Sequence, residues 1–399
     1  MIQLVINSTE PLIFRDGRPF GDFGTVTGGV LRWPLPSTIA GMVRTRIGVN
    51  HASDFFWKKD RAERTNNIAA ILKIGVRWTL PVWKPHGGQW RYLFPRPADA
   101  LLMNVPDTSG VYTLHRFTLQ KGDPSFGHDL PWKNWLLPVS DQRDKPAADA
   151  PDFWHQAAFL QWLMLEPMQE NYSHQELGFS LPELEVRMHT SIDPETGTVC
   201  KGQLFSSSGI RLEIPQGREQ QCSTHGARGT YGIGVAIIDH EEADNPFGIC
   251  LLGGERRTVF TDPLETPFPT CPTGFQSEKF LRLVLVTPGN FGGWAPDWLR
   301  PSKDVDETPW ATLPDTDIQV RLVATHLSRW QAISGWDYDR RGPKAMRKLT
   351  PAGTVYVIEV KSPERSQELA NHLWGRSIAQ GLHNQDGYGV VCIGKVNFS

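Results

Sequence analysis

Two arginines lie in a glycine-bearing stretch near the start of the chain, at Arg15 and Arg18. Planar guanidinium groups and the free backbone N–H groups at a helix start both bind phosphate oxygens. A helix start follows at residues 36–38, where Ser37 is the expected N-cap. We therefore predict phosphate contacts here, while a solvated turn with ordinary surface charges is the alternative. The candidate RNA contacts of this region are Arg15, Arg18, Ser37, Thr38 and Arg44.

A second basic stretch extends from Arg321 to Lys348 and holds seven basic residues against two aspartates. Trp330, Trp336 and Tyr338 are interleaved with these charges, as a platform for unpaired bases would require. The alternative is that the tryptophans belong to the core beside a basic surface, and for Trp336 both interpretations stay open. The candidate RNA contacts here are Trp336, Lys344, Arg347 and Lys348.

Near the end of the sequence, Gly387-Tyr388-Gly389 precedes an apolar strand pattern. This order partly matches the aromatic signature of RNA-recognition motifs, but it lacks the basic first residue and the second aromatic residue. Glycine lets a backbone approach RNA closely, and it equally suits a turn between a helix and a strand. Gly387, Tyr388 and Gly389 are therefore candidate RNA contacts, with the simple turn as the alternative.

One histidine, His189, is a candidate general acid or base. No convincing set of partners surrounds it in the sequence, so a hydrogen-bonding role is favoured over catalysis. Gly253-Gly254-Glu255-Arg256 offers one carboxylate followed by arginines, which is not a metal-binding set. We therefore predict no catalytic residue, no metal and no cofactor.

The composition is that of a globular protein, with 399 residues, 39% hydrophobic and 21% charged. No apolar run approaches the ~18 residues that cross a bilayer, and the first residues lack the features of a signal peptide. Five scattered cysteines without a C-x-x-C pair fit a reducing cytoplasm better than a disulfide framework. The net charge of −2 means that any RNA contact must come from local patches.

The apolar patterns predict an α+β protein with two domains. The first domain spans residues 1–261 and includes a tryptophan-rich insertion at about 51–182, a proline-rich linker spans 262–277, and the second domain spans 278–399. Each half begins with an apolar strand and a glycine-bearing loop, which indicates a duplicated module. The expected strands are Ile2–Ile6, Leu184–Ile192, Gln203–Ile214, Thr230–Ile238, Leu281–Val286, Thr354–Val360 and Val390–Val396, and the expected helices are Ile39–Ile47, Phe153–Leu165 and Glu364–Ala379.

Several motifs, taken in order, resemble one protein family. They are Glu10–Phe20, Pro34–Gly41, Arg187–Ile192 with Thr196-Gly197 and Gly202–Phe205, Gly253–Arg256, Ser334–Asp337, Gly342–Lys344, Pro351–Tyr356 and Gly387–Gly389. Each motif is weak alone, and their shared order along the chain is specific. Together they resemble the RAMP-superfamily third subunit of the type III-B CRISPR (Cmr) effector complex.

The resemblance implies two tandem ferredoxin-like (RRM-like, RAMP) domains with insertions. It also implies a subunit that grips the 5′ tag of the guide CRISPR RNA (crRNA) and contacts the large polymerase-like Cmr subunit and a Cmr backbone subunit. Target RNA would be met only indirectly, and no membrane is involved. Target cleavage and cyclic-nucleotide synthesis belong to other subunits in that family, so we expect no enzyme activity. The candidate RNA contacts in or beside the central motifs are Arg187, His189, Lys201, Arg256 and Arg257.

Two other functions stay open on the sequence. A crRNA-processing endoribonuclease of the same superfamily would need a self-sufficient acid–base pair. A carbohydrate-binding protein would use some of the 15 tryptophans to stack on sugars.

Overall fold

A computed structural model describes residues 1–16, 30–122, 130–212, 229–242, 244–337 and 342–398. Arg18 lies outside the described residues, as do Tyr338, Arg340 and Arg341 of the second basic stretch. The side chains of Lys201 and Trp336 also lie outside what the structure describes. The helices are α1 (Pro36–His51), α2 (Arg61–Leu72), α3 (Gln156–Met164), α4 (His174–Leu177) and α5 (Ser366–Leu373), with 3₁₀ turns at Pro363–Arg365 and Gly381–Asp386.

The strands of the first half form one large sheet and several small ones. They are β1 (Ile2–Asn7), β2 (Gly75–Pro85), β3 (Arg91–Pro95), β4 (Ala100–Asn104), β5 (Val111–Arg116), β6 (Thr118–Lys121), β7 (Leu136–Val139), β8 (Phe153–His155), β9 (Asn171–Ser173), β10 (Gly178–Phe179), β11 (Leu184–Ile192), β12 (Val199–Ile210), β13 (Gly229–Ile238), β14 (Gly248–Leu252) and β15 (Arg257–Pro263). The large sheet has the order β10-β8-β3-β2-β13-β1-β15-β14.

The strands of the second half form a six-stranded sheet and two short ribbons. They are β16 (Phe280–Leu285), β17 (Ala311–Thr312), β18 (Gln319–His326), β19 (Gln331–Ile333), β20 (Trp336–Asp337), β21 (Gly342–Pro343), β22 (Arg347–Leu349), β23 (Val355–Val360), β24 (Arg376–Ser377) and β25 (Val390–Lys395). The sheet has the order β17-β18-β23-β16-β25-β24, while β19 pairs with β22 and β20 with β21.

The two large sheets share one core topology. In the first, β2-β13-β1-β15 are neighbours, and in the second, β18-β23-β16-β25 are neighbours, with antiparallel pairing throughout. If the four core strands of each sheet are numbered in chain order, their spatial order across the sheet is 2-3-1-4 in both cases. The first half keeps a helix between its first two strands, and the second half keeps one between its last two. The chain is thus a mixed, mostly antiparallel α+β protein, and the ferredoxin-like description of both halves stays a prediction that this order favours.

β1 lies deep in the molecule because both of its faces are covered. Leu4 and Ile6 pack in one hydrophobic cluster with α1, whereas Val5 faces a second cluster that is shared with the C-terminal half. All three side chains are fully buried. This explains why the sequence of β1 is apolar without the strict alternation of a half-exposed strand.

The tryptophan-rich region differs from the simple insertion that the sequence suggested. β2 lies in the middle of the first sheet, and β3 and β8 extend that sheet beyond it. Most of the tryptophans are buried and share one cluster with the second sheet, so they are not available to stack on sugars. Among the described indoles, Trp57, Trp310 and Trp330 remain exposed, so the carbohydrate-binding alternative has less support and stays untested. The buried rings of this region are Trp78, Trp83, Trp132, Trp135, Trp154 and Trp162.

A buried ion pair joins the same region to the second sheet. Arg282 of β16 pairs with Asp99, and it also donates to the carbonyl oxygens of Trp162 and Lys395 at 2.8 and 2.5 Å. The Trp162 indole donates to the other oxygen of Asp99 at 2.9 Å. The guanidinium of Arg116 lies 3.4 Å from the centre of the Trp162 ring. Burial and the nearby charge of Arg282 lower the pKa of Arg116 to about 9.

Within the described ranges, no helix combines the length and the apolar composition needed to cross a membrane.

Candidate nucleic-acid interface

The start of α1 meets the C-terminal glycine-bearing turn. The helix begins at Pro36 with Leu35 at the N-cap, so the prediction of Ser37 as N-cap is wrong. Proline suits the first helical position because its missing N–H would have no partner there. The Ser37 hydroxyl, one position later, lies 2.9 Å from the hydroxyl of Tyr388. Ser37 itself is exposed and Thr38 is half-buried.

Tyr388 is buried at this junction, with 2% of its surface exposed. Burial raises the pKa of its hydroxyl, while the hydrogen bond with Ser37 and the positive charge of Arg347 act in the opposite direction. Ser37, Arg347 and Tyr388, which are far apart in the sequence, are therefore neighbours in the structure. Because the ring is covered by protein, Tyr388 cannot act as a base-stacking platform in this conformation.

Gly387 and Gly389 have left-handed backbone conformations, with φ of +83° and +68°. A Cβ on Gly387 would lie 3.2 Å from the carbonyl oxygen of Val76, and one on Gly389 would lie 2.9 Å from the Phe291 ring. Both glycines therefore permit close packing of protein against protein. This favours the simple turn over close backbone approach to RNA.

Arg44 on α1 is buried, and its guanidinium contacts other parts of the protein. It donates to the carbonyl oxygen of Ile74 at 3.0 Å and to that of Gln385 at 3.1 Å, and it pairs with Asp386 at 2.6 Å. These contacts connect α1 with β2 and with the C-terminal turn. The structure thus gives Arg44 a buried bridging position, which disfavours a contact with phosphate.

Residues 327–335 and 344–349, built around β19 and β22, form an exposed basic ribbon. Lys344, Arg347 and Lys348 are all exposed on it. Trp330 is 49% exposed, and the Lys348 ammonium lies 4.5 Å from the centre of its ring. The ribbon is anchored by the buried side chains of Ile333 and Leu349, which belong to the same hydrophobic cluster as Tyr388 and α1. The charge of Arg347 acts on the Tyr388 hydroxyl, which contacts Ser37, so the basic ribbon lies near the start of α1.

A second group of motifs meets along residues 11–15. The backbones of Leu12 and Ile210 exchange two hydrogen bonds, of 2.9 and 2.8 Å, and the Gly254 N–H donates to the carbonyl oxygen of Ile13 at 2.7 Å. A Cβ on Gly253 would lie 2.5 Å from that same oxygen. The first motif, the end of β12 and the Gly-Gly turn are therefore packed together, with Arg15 exposed at the end of the strip.

β11 and β12 form a two-stranded hairpin whose two faces differ. On one face the His189 ring nitrogen Nε2 lies 2.7 Å from the Ser207 hydroxyl, and the His189 ring stacks on Phe205 with ring centres 5.1 Å apart. Arg187 on that face pairs with Glu185 at 2.6 Å. These contacts favour a hydrogen-bonding role for His189. The other face carries exposed apolar side chains, namely Leu184, Val186, Met188 and Leu204.

The two arginines after the Gly-Gly turn differ in their surroundings. Arg256 is exposed and has a φ of +50°. Arg257 pairs with Glu255 at 2.5 Å and approaches Glu10 at 4.0 Å. A phosphate would have to compete with the carboxylates of Glu255 and Glu10 for Arg257. Arg256 is therefore the better placed of the two arginines to bind a phosphate.

Among the described residues, no group of three or more His, Cys, Asp or Glu side chains is arranged to hold a metal ion. The structure instead brings cations and one half-exposed indole together on the basic ribbon. Sequence reasoning placed the lysines and arginines there but chose Trp336 as the stacking residue. The Trp336 side chain lies outside what the structure describes, so that choice stays a prediction. Trp330 on the ribbon is exposed, and Phe205 is a further exposed aromatic that the candidate set missed; only spacing in a hairpin could have indicated it.

A family model described as "CRISPR-associated protein (Cas_Cmr3)" matches residues 4–396 of the chain. A comparison with curated proteins finds no similar sequence. Chains in two cryo-EM structures of type III-B Cmr-β are similar at 16% and 17% identity, with TM-scores of 0.44 and 0.42 over 89% of this chain and 86% of theirs. The first is bound to cognate target RNA and AMPPNP, and the second to cognate target RNA. A chain of the Csm3–Csm4 subcomplex of a type III-A interference complex has 12% identity and a TM-score of 0.37, over 89% of this chain and 92% of that one.

Proposed function

Because the chain belongs to the Cas_Cmr3 family of CRISPR-associated proteins, we propose that it holds the guide crRNA within a type III-B Cmr effector complex. In this proposal it grips the 5′ tag of the guide and bridges the large polymerase-like subunit to the backbone subunits in antiviral defence. The complex acts in the cytoplasm, and this subunit contacts target RNA only indirectly, through the guide. The two halves are tandem ferredoxin-like domains of the RAMP type.

The basic ribbon is the observation that carries the RNA-binding part of the proposal. Lys344, Arg347 and Lys348 are exposed on one short ribbon together with Trp330. Cations neutralise the phosphate backbone, and an exposed indole stacks on an unpaired base. A single-stranded 5′ tag presents both of these groups. The ribbon therefore suits a single-stranded RNA better than a duplex, whose bases are already stacked.

The chain acts without a catalytic centre of its own. His189 contacts a serine hydroxyl and a phenylalanine ring, and neither can serve as the second member of an acid–base pair. Holding the RNA in register requires only phosphate and stacking contacts, which position a nucleic acid. The proposal accordingly leaves RNA cleavage to other subunits.

Titration of the assembled complex with labelled guide RNA at several salt concentrations tests the proposal. Arg347→Ala/Lys348→Ala should lower the salt slope of binding by about 0.7 for each phosphate that is no longer neutralised. The decrease in affinity should be similar for the tag and for a scrambled sequence, because phosphate contacts do not read bases.

The matched control removes the same charge from another part of the second half. Lys303 and Lys361 are exposed and lie outside the basic ribbon. Lys303→Ala/Lys361→Ala should leave the salt slope unchanged. Equal slopes for the ribbon variant and the unmodified complex would remove the ribbon from the RNA path.

A further inference from the structure

The edges of the two large sheets are not alike. Three of the four edge strands, β10, β17 and β24, are only two residues long, whereas β14 has five residues. Among the described residues, β14 pairs with β15 alone. A strand at an edge presents a row of backbone N–H and C=O groups that can pair with another strand. In the part of the chain that the structure describes, three sheet edges expose only two residues of backbone each, and the β14 edge exposes five.

β14 also lacks the side chains that usually protect an edge. Its sequence, Gly-Ile-Cys-Leu-Leu, contains no lysine, no proline and no other charged residue. Such residues are the common means by which proteins prevent edge-to-edge pairing. A long, apolar and unprotected edge is expected where another strand is meant to add.

The outward face of the same edge is apolar. Ile249 is 62% exposed and Leu251 47%, while Phe260 of β15, directly opposite Ile249, is 42% exposed. Cys250 and Leu252 alternate with them and are buried on the inner face. An exposed patch of neighbouring apolar side chains marks an interaction surface. Here it lies next to the open backbone of β14.

We propose that β14 is a docking edge, to which an extended segment of a neighbouring protein subunit adds as a further strand of the first sheet. The added strand would place alternate apolar side chains against Ile249, Leu251 and Phe260, because side chains on adjacent strands face each other in register. This inference rests on the chain being a subunit of a multiprotein complex, and it is independent of how the chain binds RNA.

The charges around the edge favour a protein partner over RNA. Residues 248–263 contain two arginines against one glutamate and one aspartate, so the segment has no net charge. Asp262 follows Phe260 on the same face of β15, where its carboxylate would repel a phosphate. Arg257 is already paired with Glu255. Arg256 in the turn is exposed, but it is a single cation, whereas the basic ribbon carries three exposed cations.

Hydrogen–deuterium exchange tests the proposal on the unmodified chain, free and in the purified complex. Peptides covering residues 248–252 should exchange roughly tenfold or more slowly in the complex, because strand addition protects amides that are open in the free chain. Unchanged exchange would overturn the proposal. Protection on adding guide RNA to the free chain would overturn it in favour of RNA, and protection that appears with self-association of the free chain would overturn it in favour of a second copy.

A pair of variants tests the same edge by assembly. Ile249→Lys/Leu251→Lys should reduce recovery of the chain with its complex by more than about tenfold, since the added charges would be buried without partners. Ile68→Lys/Val305→Lys, at two exposed apolar residues away from the edge, is the control and should assemble normally. The thermal midpoints of the free variants separate misfolding from impaired docking. Normal recovery of the edge variant with the complex would overturn the proposal. Guide-RNA binding by the same variant should be unchanged, so that a failure of docking can be distinguished from a failure of the proposed RNA-binding function.

Discussion

At the scale of single residues, Trp330 and Lys348 form the pair that could bind RNA both by base stacking and by charge. The ammonium lies 4.5 Å from the ring centre, and half of the indole surface is exposed. A cation over an aromatic face holds the ring in place and adds a positive charge beside it. A base that stacks on the opposite face of Trp330 would therefore meet an ordered ring with a phosphate-binding group close by.

Trp330→Ala should weaken guide binding by ~1–3 kcal/mol with little change in the salt slope, because stacking involves no counterion release. Trp330→Phe keeps a smaller ring and should retain part of the affinity. The measurement is the same titration of the assembled complex at several salt concentrations. Full affinity in the alanine variant would exclude Trp330 as a base platform.

The sequence could predict the exposed cations of the ribbon but not the burial of Arg44 or Tyr388. A run of lysines and arginines with few apolar neighbours is exposed in almost any fold. Arg44, in contrast, is buried by a partner at Asp386, and the Tyr388 hydroxyl is met by Ser37. Each of these pairs is more than 340 residues apart in the sequence. Only the packing of the two halves brings them together.

At the scale of secondary structure, the hairpin shows where the apolar pattern is reliable. β11 spans Leu184–Ile192, which confirms the predicted strand, while β12 begins four residues before the predicted Gln203. The predicted helix Glu364–Ala379 is shorter, because α5 ends at Leu373 and Gly375 takes a left-handed φ of +61°. The periodicity of apolar residues identifies a strand or a helix. It does not show where the element ends, because the end depends on a change of backbone direction that tertiary packing determines.

The purified chain should not cleave repeat RNA, with or without divalent metal, because His189 on the hairpin has no acid–base partner among the described residues. Gel analysis of labelled RNA after incubation provides the measurement. His240→Ala, at a histidine outside the motifs, is the control for His189→Ala. Metal-independent cutting that disappears in His189→Ala and persists in His240→Ala would identify the chain as an endoribonuclease.

At the scale of the whole molecule, the buried pair between Asp99 and Arg282 joins the two halves. Asp99→Asn should destabilise the chain by ~3–5 kcal/mol, because the buried Arg282 loses its partner and the half-buried Arg116 loses a nearby counter-charge. Asp306→Asn is the matched control, since the Lys133–Asp306 pair also connects the halves but is exposed to solvent. Chemical denaturation of both variants measures the difference. Similar stabilities would show that the buried pair contributes little.

The same pair should make stability depend on pH. Burial alone would raise the pKa of Asp99, but the charge of Arg282, with help from His326 and Arg116, lowers the pKa below that of a free aspartate. A carboxyl of this kind adds stability above about pH 3.9, and that contribution is lost as the pH falls toward its folded pKa. The free energy of unfolding of Asp99→Asn should therefore change less on acidification than that of the unmodified chain.

The most direct test of the RNA-holding role is to crosslink RNA to this subunit in the purified native complex and to sequence the RNA 5′ ends. The account predicts that the crosslinked RNAs share one repeat-derived 5′ sequence, whatever guide follows it. It also predicts that crosslinks on the protein fall within the basic ribbon, residues 327–335 and 344–349. Crosslinked RNAs with unrelated 5′ ends, or a subunit that captures no RNA in an otherwise loaded complex, would contradict the account.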